Sequence, residues 1–432
     1  MRVSGKNRAV PGSVRRMPAW FDDARFGLFV HWDHASRQGL ELSWPLVGGL
    51  FALPKCQSVT VAEYHASAAE FDPQDWDARA IARMARDAGM QYAVFTAKHH
   101  AGYAMYATEL SEHSVLHSPC GRDLVREFVE AVRAEGLRVG LYFSLSDWHH
   151  PDYPAFTDAD RPYLPGFSPP LPSPDRWDAY LDYLRGQLRE LLTNYGTIDV
   201  LWFDGGWERP TDRWHSGALE TLIRDLQPEI LINDRLPGVG DFATPEQFVP
   251  AIPPDGRWET CLTMNDSWGY VPSDVDYKSA RELIHTLCEV AGRGGNLLLN
   301  VSPTGSGTLP VEQRERLERI AAWMAVHGES IVGTKPGLES WQFYGPSTRR
   351  DSRLYLHLLM RPYEQVIVRG VPVKRIERVQ LLGHDQPLDF TYRTGVIDRL
   401  NADPLGELVI RVPDALLDPM ASVLAVDVAT NN

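Results

Sequence analysis

From Phe26 onward the chain alternates short apolar runs with amphipathic segments, and this alternation limits the fold more than any other feature. The runs are FGLFVH (26–31), YAVFTA (92–97), RVGLYFS (138–144), IDVLWF (198–203), EILIN (229–233), ETCLT (259–263) and NLLLNV (296–301). Each has the length of a strand and is too apolar to leave one face in water, as expected of a parallel sheet covered on both sides. The intervening segments read as helices. In DLVREFVEAVRAEG, Leu124, Val125, Phe128 and Val132 share a face, with Asp123 placed as N-cap and Gly136 as terminator. YKSARELIHTLCEVAGRGG repeats the pattern through Leu283, Ile284, Leu287 and Ala291. Seven parallel strands within about 300 residues favour a closed barrel over an open sheet. The eighth strand is predicted at IVGT (331–334), after a helix around Arg314 to Val326. The expected fold is therefore α/β: a (β/α)8-like barrel of the TIM type, irregular in its last strand, over residues 1–336.

Beyond Gly337 the runs become short and alternating, as in RLYLHLL, EQVIVRG, RVQLLG and ELVIRV, with turn residues between them. That texture predicts a small C-terminal β-sandwich over residues 337–432, with a packing or interface role. Two connections are long: residues 32–72 after the first strand, and the proline-rich HHPDYPAFTDADRPYLPGFSPPLPSP after the third. Long connections in compact domains usually serve function, so both are expected to wall a site.

A barrel places its site where the C-terminal ends of the strands converge. Polar residues recur at that level: His31, then Lys98-His99-His100, Tyr142 to Ser144, Asp204, Asn233-Asp234-Arg235 and Asn300. Asp204 ends a strand-like run and is followed by Gly205 and Gly206, which leave space for a ligand to approach the backbone. A carboxylate there could be a metal ligand, a base or a nucleophile. Glycoside hydrolysis needs a second carboxyl group to protonate the leaving oxygen. Glu246, Glu259 and Asp266 are all available on later connections, and composition does not choose among them.

The formal charge of −14 repels phosphate backbones and anionic lipid, which argues against nucleic-acid and membrane partners and favours a neutral small ligand. Cys56, Cys120, Cys261 and Cys288 form no CxxC pair, so they are expected to be reduced, buried thiols rather than a zinc or redox motif. The basic opening segment lacks the apolar core of a secretory signal, and no stretch has the length of a membrane span, so a cytoplasmic location is predicted.

Several blocks together carry a family resemblance: WFDDARFGLFVHW, FTAKHHAGYAMY, GLYFS, LWFDG, INDR, DFATPE, WETCLTMNDSWGY and RGGNLLLNVSPTGSGTLP. From about Trp20 to Gly333 the chain resembles the α-L-fucosidases of glycoside hydrolase family 29. The resemblance implies a retaining exo-glycosidase that removes terminal α-L-fucose from a fucosylated oligosaccharide or glycoconjugate, with no metal and no organic cofactor. It implies Asp204 as nucleophile and Glu246 as acid/base, with Glu259 as a rival for proton delivery. It also implies sugar contacts at His31, His99, His100, Tyr142 and Arg235, with Trp202 and Trp268 as walls. A retaining pair is expected to stand about 5–5.5 Å apart.

The chain departs from the family pattern at His31-Trp32-Asp33-His34, at His99-His100-Ala101-Gly102 and in QGLELSWPLVGG, where Glu41 and Trp44 stand in for the usual glutamate–tryptophan pair. Because an apolar pocket excludes an added hydroxyl only weakly, an α-L-galactosidase on the same scaffold is an alternative. Two further alternatives are a metal-dependent barrel hydrolase using His31, His99, His100 and Asp204, and a non-catalytic sugar-binding protein. Adjacent histidines on a regular strand point to opposite faces, which counts against the metal reading. A homo-oligomer is left open.

Overall fold

The computed structural model describes residues 17–48, 59–153, 157–162 and 173–430. Cys56 and parts of both long connections (49–58, 154–156 and 163–172) lie outside the described residues. Seven parallel strands form the first sheet: β1 (Phe26–Val30), β2 (Tyr92–Lys98), β3 (Arg138–Ser144), β4 (Val200–Asp204), β5 (Leu231–Ile232), β6 (Glu259–Leu262) and β7 (Asn296–Val301). Their spatial order is β5-β4-β3-β2-β1-β7-β6.

The IVGT segment is not the eighth strand. It is a turn after the helix Val311–His327, and the next short strand, β8 (Lys335–Pro336), belongs to the second sheet. The gap between β5 and β6 is instead spanned by residues 242–246, which make single parallel bridges from Asn233 to Phe242, Ala243 to Trp258 and Glu246 to Cys261. Backbone bonds run to both sides: Asp234 N to Phe242 O at 3.0 Å, and Gln247 N to Cys261 O at 2.9 Å. Pro245 donates no backbone bond, which helps explain why hydropathy did not reveal this segment as a strand.

The two-residue period of the strands separates two cores. Phe29, Val94, Tyr142, Val200, Trp202, Leu231, Cys261 and Leu298 fill the barrel interior. Leu28, Phe95, Leu141, Leu201, Ile232 and Leu299 face the helices outside. The helices form where predicted. Asp123 caps Leu124–Ala134 by accepting from Arg126 N at 2.9 Å, and Ser279 caps Ala280–Gly292. A short helix, Trp20–Ala24, closes the bottom of the barrel, with the Phe21 ring 4.7 Å from Phe242.

The C-terminal region contains β9 (Ser347–Arg350), β10 (Arg353–Leu358), β11 (Gln365–Pro372), β12 (Ile376–Leu381), β13 (Phe390–Arg393), β14 (Leu405–Arg411) and β15 (Ser422–Val428). They form one sheet ordered β12-β15-β10-β9-β8 and another ordered β11-β14-β13. Leu356, Val379 and Leu424 from the first sheet share a core with Val366, Val368 and Ile410 from the second. The opposite face of the larger sheet packs on the barrel, where Trp323 Nε1 donates to Ala421 O at 2.8 Å.

Candidate active site

The side-chain period of β4 delivers Asp204 inward. Val200 and Trp202 point into the barrel, so Asp204 is the next inward position and stands at the C-terminal rim, 8% exposed. Three groups surround its carboxylate. The Tyr142 hydroxyl donates to Oδ2 at 2.9 Å, Arg235 Nη1 donates to Oδ1 at 3.1 Å, and His100 Nε2 lies 3.5 Å from Oδ2. Gly205 and Gly206 serve packing rather than ligand access. A Cβ at Gly205 would come within 2.5 Å of Ser146 Oγ, and one at Gly206 within 2.4 Å of Arg235 O.

Arg235 is the hinge of the arrangement. Its Nη2 donates to Glu246 Oε2 at 2.7 Å, its Nε donates to Thr244 Oγ1 at 3.1 Å, and its guanidinium lies 4.8 Å from the centre of the Trp202 ring. Burial alone would lower its pKa, but Asp204 and Glu246 raise it overall, so the side chain is a fixed cation. The terminal nitrogens of a guanidinium are about 2.3 Å apart, which keeps the two bridged carboxylate oxygens within about 8 Å of each other.

The strand-end histidines correct one expectation. His99 and His100 do not point to opposite faces: their rings are 4.3 Å apart at the same rim. The pairing of β2 with β3 shifts by one residue between Thr96 and Lys98. A one-residue shift reverses every later side chain. Lys98 therefore turns out to the helical layer, where Nζ meets Asp147 at 3.2 Å and Gln187 at 2.9 Å, and His99 turns in, stacked 5.4 Å from Tyr142. His100 follows after the strand has ended.

Each imidazole is held through Nδ1. His31 meets Asn300 Oδ1 at 2.7 Å, His99 meets Ser43 Oγ at 2.7 Å, and His100 meets Ser144 Oγ at 2.6 Å. Asn300 also donates Nδ2 to Trp268 O, which fixes its oxygen toward His31 and makes Nδ1 of that ring the protonated nitrogen. Nε2 of His31 is then an acceptor. Burial pushes the pKa of His31 down to about 3 and that of His100 down to about 4, and lowers that of His99 well below the usual imidazole range. The rings are neutral at pH 7 and can exchange hydrogen bonds with hydroxyl groups.

The half-buried Trp268 ring lies 4.8 Å from His31, and Trp202, buried one layer below the rim, is stacked 5.7 Å from Tyr142. Trp44 does reach the site, edge-on to His100 at 5.5 Å. Glu41 acts one step back: fully buried, it accepts from Trp268 N at 2.6 Å and Gly269 N at 2.8 Å. Burial raises its carboxyl to about 8 against the pull of those two donors.

Glu259, the expected rival for proton delivery, is at the wrong end of the barrel. It begins β6, paired with Asn296 at the start of β7, so it lies near the bottom while Asp204 lies at the top. Its two oxygens accept from the Tyr92 hydroxyl and from Trp202 Nε1, the latter at 2.9 Å. Burial raises its carboxyl to about 7. Strand polarity decides this: the first and last residues of a strand open on opposite faces of a barrel.

Sequence reasoning passed over Ser43, Ser146, Trp148 and Glu208. Ser146 Oγ lies 3.0 Å from His100 Nδ1, the Trp148 ring is 4.9 Å from that of His100, and Glu208 accepts from Trp148 Nε1 at 2.8 Å. These residues sit in connections, where no periodicity marks a side chain that turns back toward a strand end.

Two carboxyl groups tied this closely and surrounded by uncharged rings suit acid-assisted cleavage of an acetal. By fold and site, the protein is a glycoside hydrolase. The family model described as Alpha-L-fucosidase matches residues 8–329, and the chain belongs to that family, the α-L-fucosidases of glycoside hydrolase family 29. Among curated relatives, the human plasma α-L-fucosidase is 30% identical over 87% of this chain and 84% of its own length. The human tissue α-L-fucosidase is 31% identical over 83% and 79%. α-L-Fucosidase isoenzyme 1 from Paenibacillus thiaminolyticus superposes with a TM-score of 0.82 at 35% identity, covering 95% of this chain and 98% of that one. A family 29 α-L-fucosidase from Bacteroides thetaiotaomicron, solved as a trapped covalent intermediate, gives a TM-score of 0.81 at 25% identity, covering 98% of both chains.

Proposed function

We propose that the protein hydrolyses terminal α-L-fucosyl linkages with retention of configuration, Asp204 acting as nucleophile and Glu246 as acid/base. The observation that carries this reading is the single guanidinium of Arg235 spanning both carboxylates at the rim. The trapped covalent intermediate of the Bacteroides relative supports retention. In the first step an oxygen of Asp204 bonds to the anomeric carbon while the glycosidic bond breaks and Glu246 gives its proton to the departing oxygen. In the second, Glu246 takes a proton from water, whose oxygen attacks the anomeric carbon and releases Asp204. Before the first step Glu246 must leave Arg235 Nη2 and acquire a proton, since an ion-paired carboxylate has none to give. Substrate entering between the two acids supplies that displacement. Neutral His31, His99 and His100 bind the ring hydroxyls, and the indole of Trp268 provides apolar surface for the sugar.

The test is proton NMR of aryl α-L-fucoside hydrolysis, run beside the α-L-galactoside and β-D-galactoside. The α anomer of fucose is expected to appear first, and Asp204→Ala is expected to abolish turnover with the melting temperature preserved. First release of the β anomer would overturn retention. Faster cleavage of the α-L-galactoside than of the fucoside would transfer the assignment to that sugar.

A further inference from the structure

Beside the catalytic rim, three connections bring three imidazoles together. His65 lies on the helix Val61–Ala66 in the connection after β1, His113 in the connection after β2, and His149 in the connection after β3. One ring nitrogen from each lies within 4.8 Å of the other two. The rings of His113 and His149 stack 3.9 Å apart, and those of His65 and His149 lie 4.8 Å apart. His65 Nδ1 and His113 Nε2 are buried without any hydrogen-bond partner. A buried ring nitrogen with no partner forfeits a hydrogen bond it could make to water, and two such atoms beside a third imidazole call for a shared ligand. The cluster makes no contact with Asp204 or Glu246 and serves no step of the hydrolysis proposed above.

We propose that His65, His113 and His149 form a binding site for a first-row divalent cation of the zinc class, which ties together the connections following β1, β2 and β3. Neutral imidazole is the ligand such ions prefer, and three histidines with a water in the fourth position make a complete tetrahedral set. The His113 and His149 rings stack nearly parallel, at 14°, so their in-plane lone pairs run side by side and the ring of His149 must swing out of the stack before both can meet one ion. His149 is exposed and can supply that movement. Asp147, two residues before His149, accepts from the backbone N–H of His149 at 3.1 Å and so fixes the turn that presents the ring. The neighbouring Trp148 rests on His100, so an ion here would steady one wall of the site without entering the chemistry.

The experiment uses the full chain, stripped with a chelator, dialysed into metal-free buffer and titrated with Zn2+ by calorimetry and with Co2+ by visible absorption. One equivalent of Zn2+ is expected to bind, with Co2+ giving the bands of a four-coordinate site and saturating Zn2+ raising the melting temperature by about 2–5 °C. His149→Ala, at an exposed position, is expected to fold and to weaken binding by at least about 10- to 100-fold. Asp204→Ala is expected to bind as the parent does. The proposal is overturned if neither ion binds stoichiometrically, if His149→Ala binds Zn2+ as tightly as the parent, or if binding is lost in Asp204→Ala and kept in His149→Ala.

Discussion

Arg235→Lys isolates the fork that holds the two acids. The native side chain reaches Asp204 with Nη1 at 3.1 Å and Glu246 with Nη2 at 2.7 Å. A lysine ammonium is a single point and can meet only one of them. Hydrogen bonds to charged groups contribute about 1.5–3 kcal/mol each. The bond to Glu246 must break before proton delivery, so only the bond to Asp204 counts in the first step, and with the lysine cation still beside the acids the net loss is about 1–2 kcal/mol. That corresponds to a fall of roughly 5- to 30-fold in kcat/KM. Two substrates locate the loss: a dinitrophenyl α-L-fucoside, whose leaving group needs no proton, and a methyl α-L-fucoside, whose leaving group does. If Arg235 acts on the nucleophile, both fall together; if it acts only on Glu246, the methyl glycoside falls alone. Values for Arg235→Lys within threefold of the parent on both substrates would refute the idea that the bridge organises the acids.

Glu246→Ala is expected to lose about 10^2- to 10^4-fold in kcat/KM on the methyl glycoside and far less on the dinitrophenyl glycoside, since only the first needs acid help in the bond-breaking step; kcat/KM values on the pair measure it. Glu259→Gln leaves the rim untouched but exchanges one acceptor oxygen for an amide facing a buried donor. It should cost about 1–3 kcal/mol of stability in urea unfolding, with kcat on both fucosides within about threefold of the parent. For pH, burial depresses the folded pKa of His100 from the ordinary imidazole value of 6.5 to about 4, so the unfolded chain binds the extra proton between those values. Its contribution to stability is complete above pH 6.5 and is lost as pH falls toward 4, by roughly 2 kcal/mol at pH 5. Urea unfolding at pH 7 and pH 5 should give a smaller difference for His100→Asn than for the parent, and an equal or larger one would contradict the burial argument.

The order and type of the barrel elements were legible because strands covered on both faces must be apolar throughout, and helices covered on one face must repeat every three to four residues. The end of an apolar run marked Asp204 as a rim acid, and the period of β4 turns it inward, two beyond Trp202. It could not find residues 242–246, whose single bridges join β5 to β6 without a regular run of their own. Nor could it distinguish Glu246 from Glu259, since both are acids beside short β segments.

By itself, then, the sequence determined a parallel sheet wrapped in helices, a following pair of antiparallel sheets and an acid at the end of the fourth strand. These follow from hydrophobic period and local turn chemistry, which act over a few residues. Only the tertiary structure decided which acid faces Asp204, which way His99 and His100 turn, and which three histidines meet. Those outcomes depend on a one-residue shift between β2 and β3, on the direction of each strand and on a guanidinium reaching two connections at once. Contacts of that kind join residues roughly ten to ninety positions apart, and no local pattern records them.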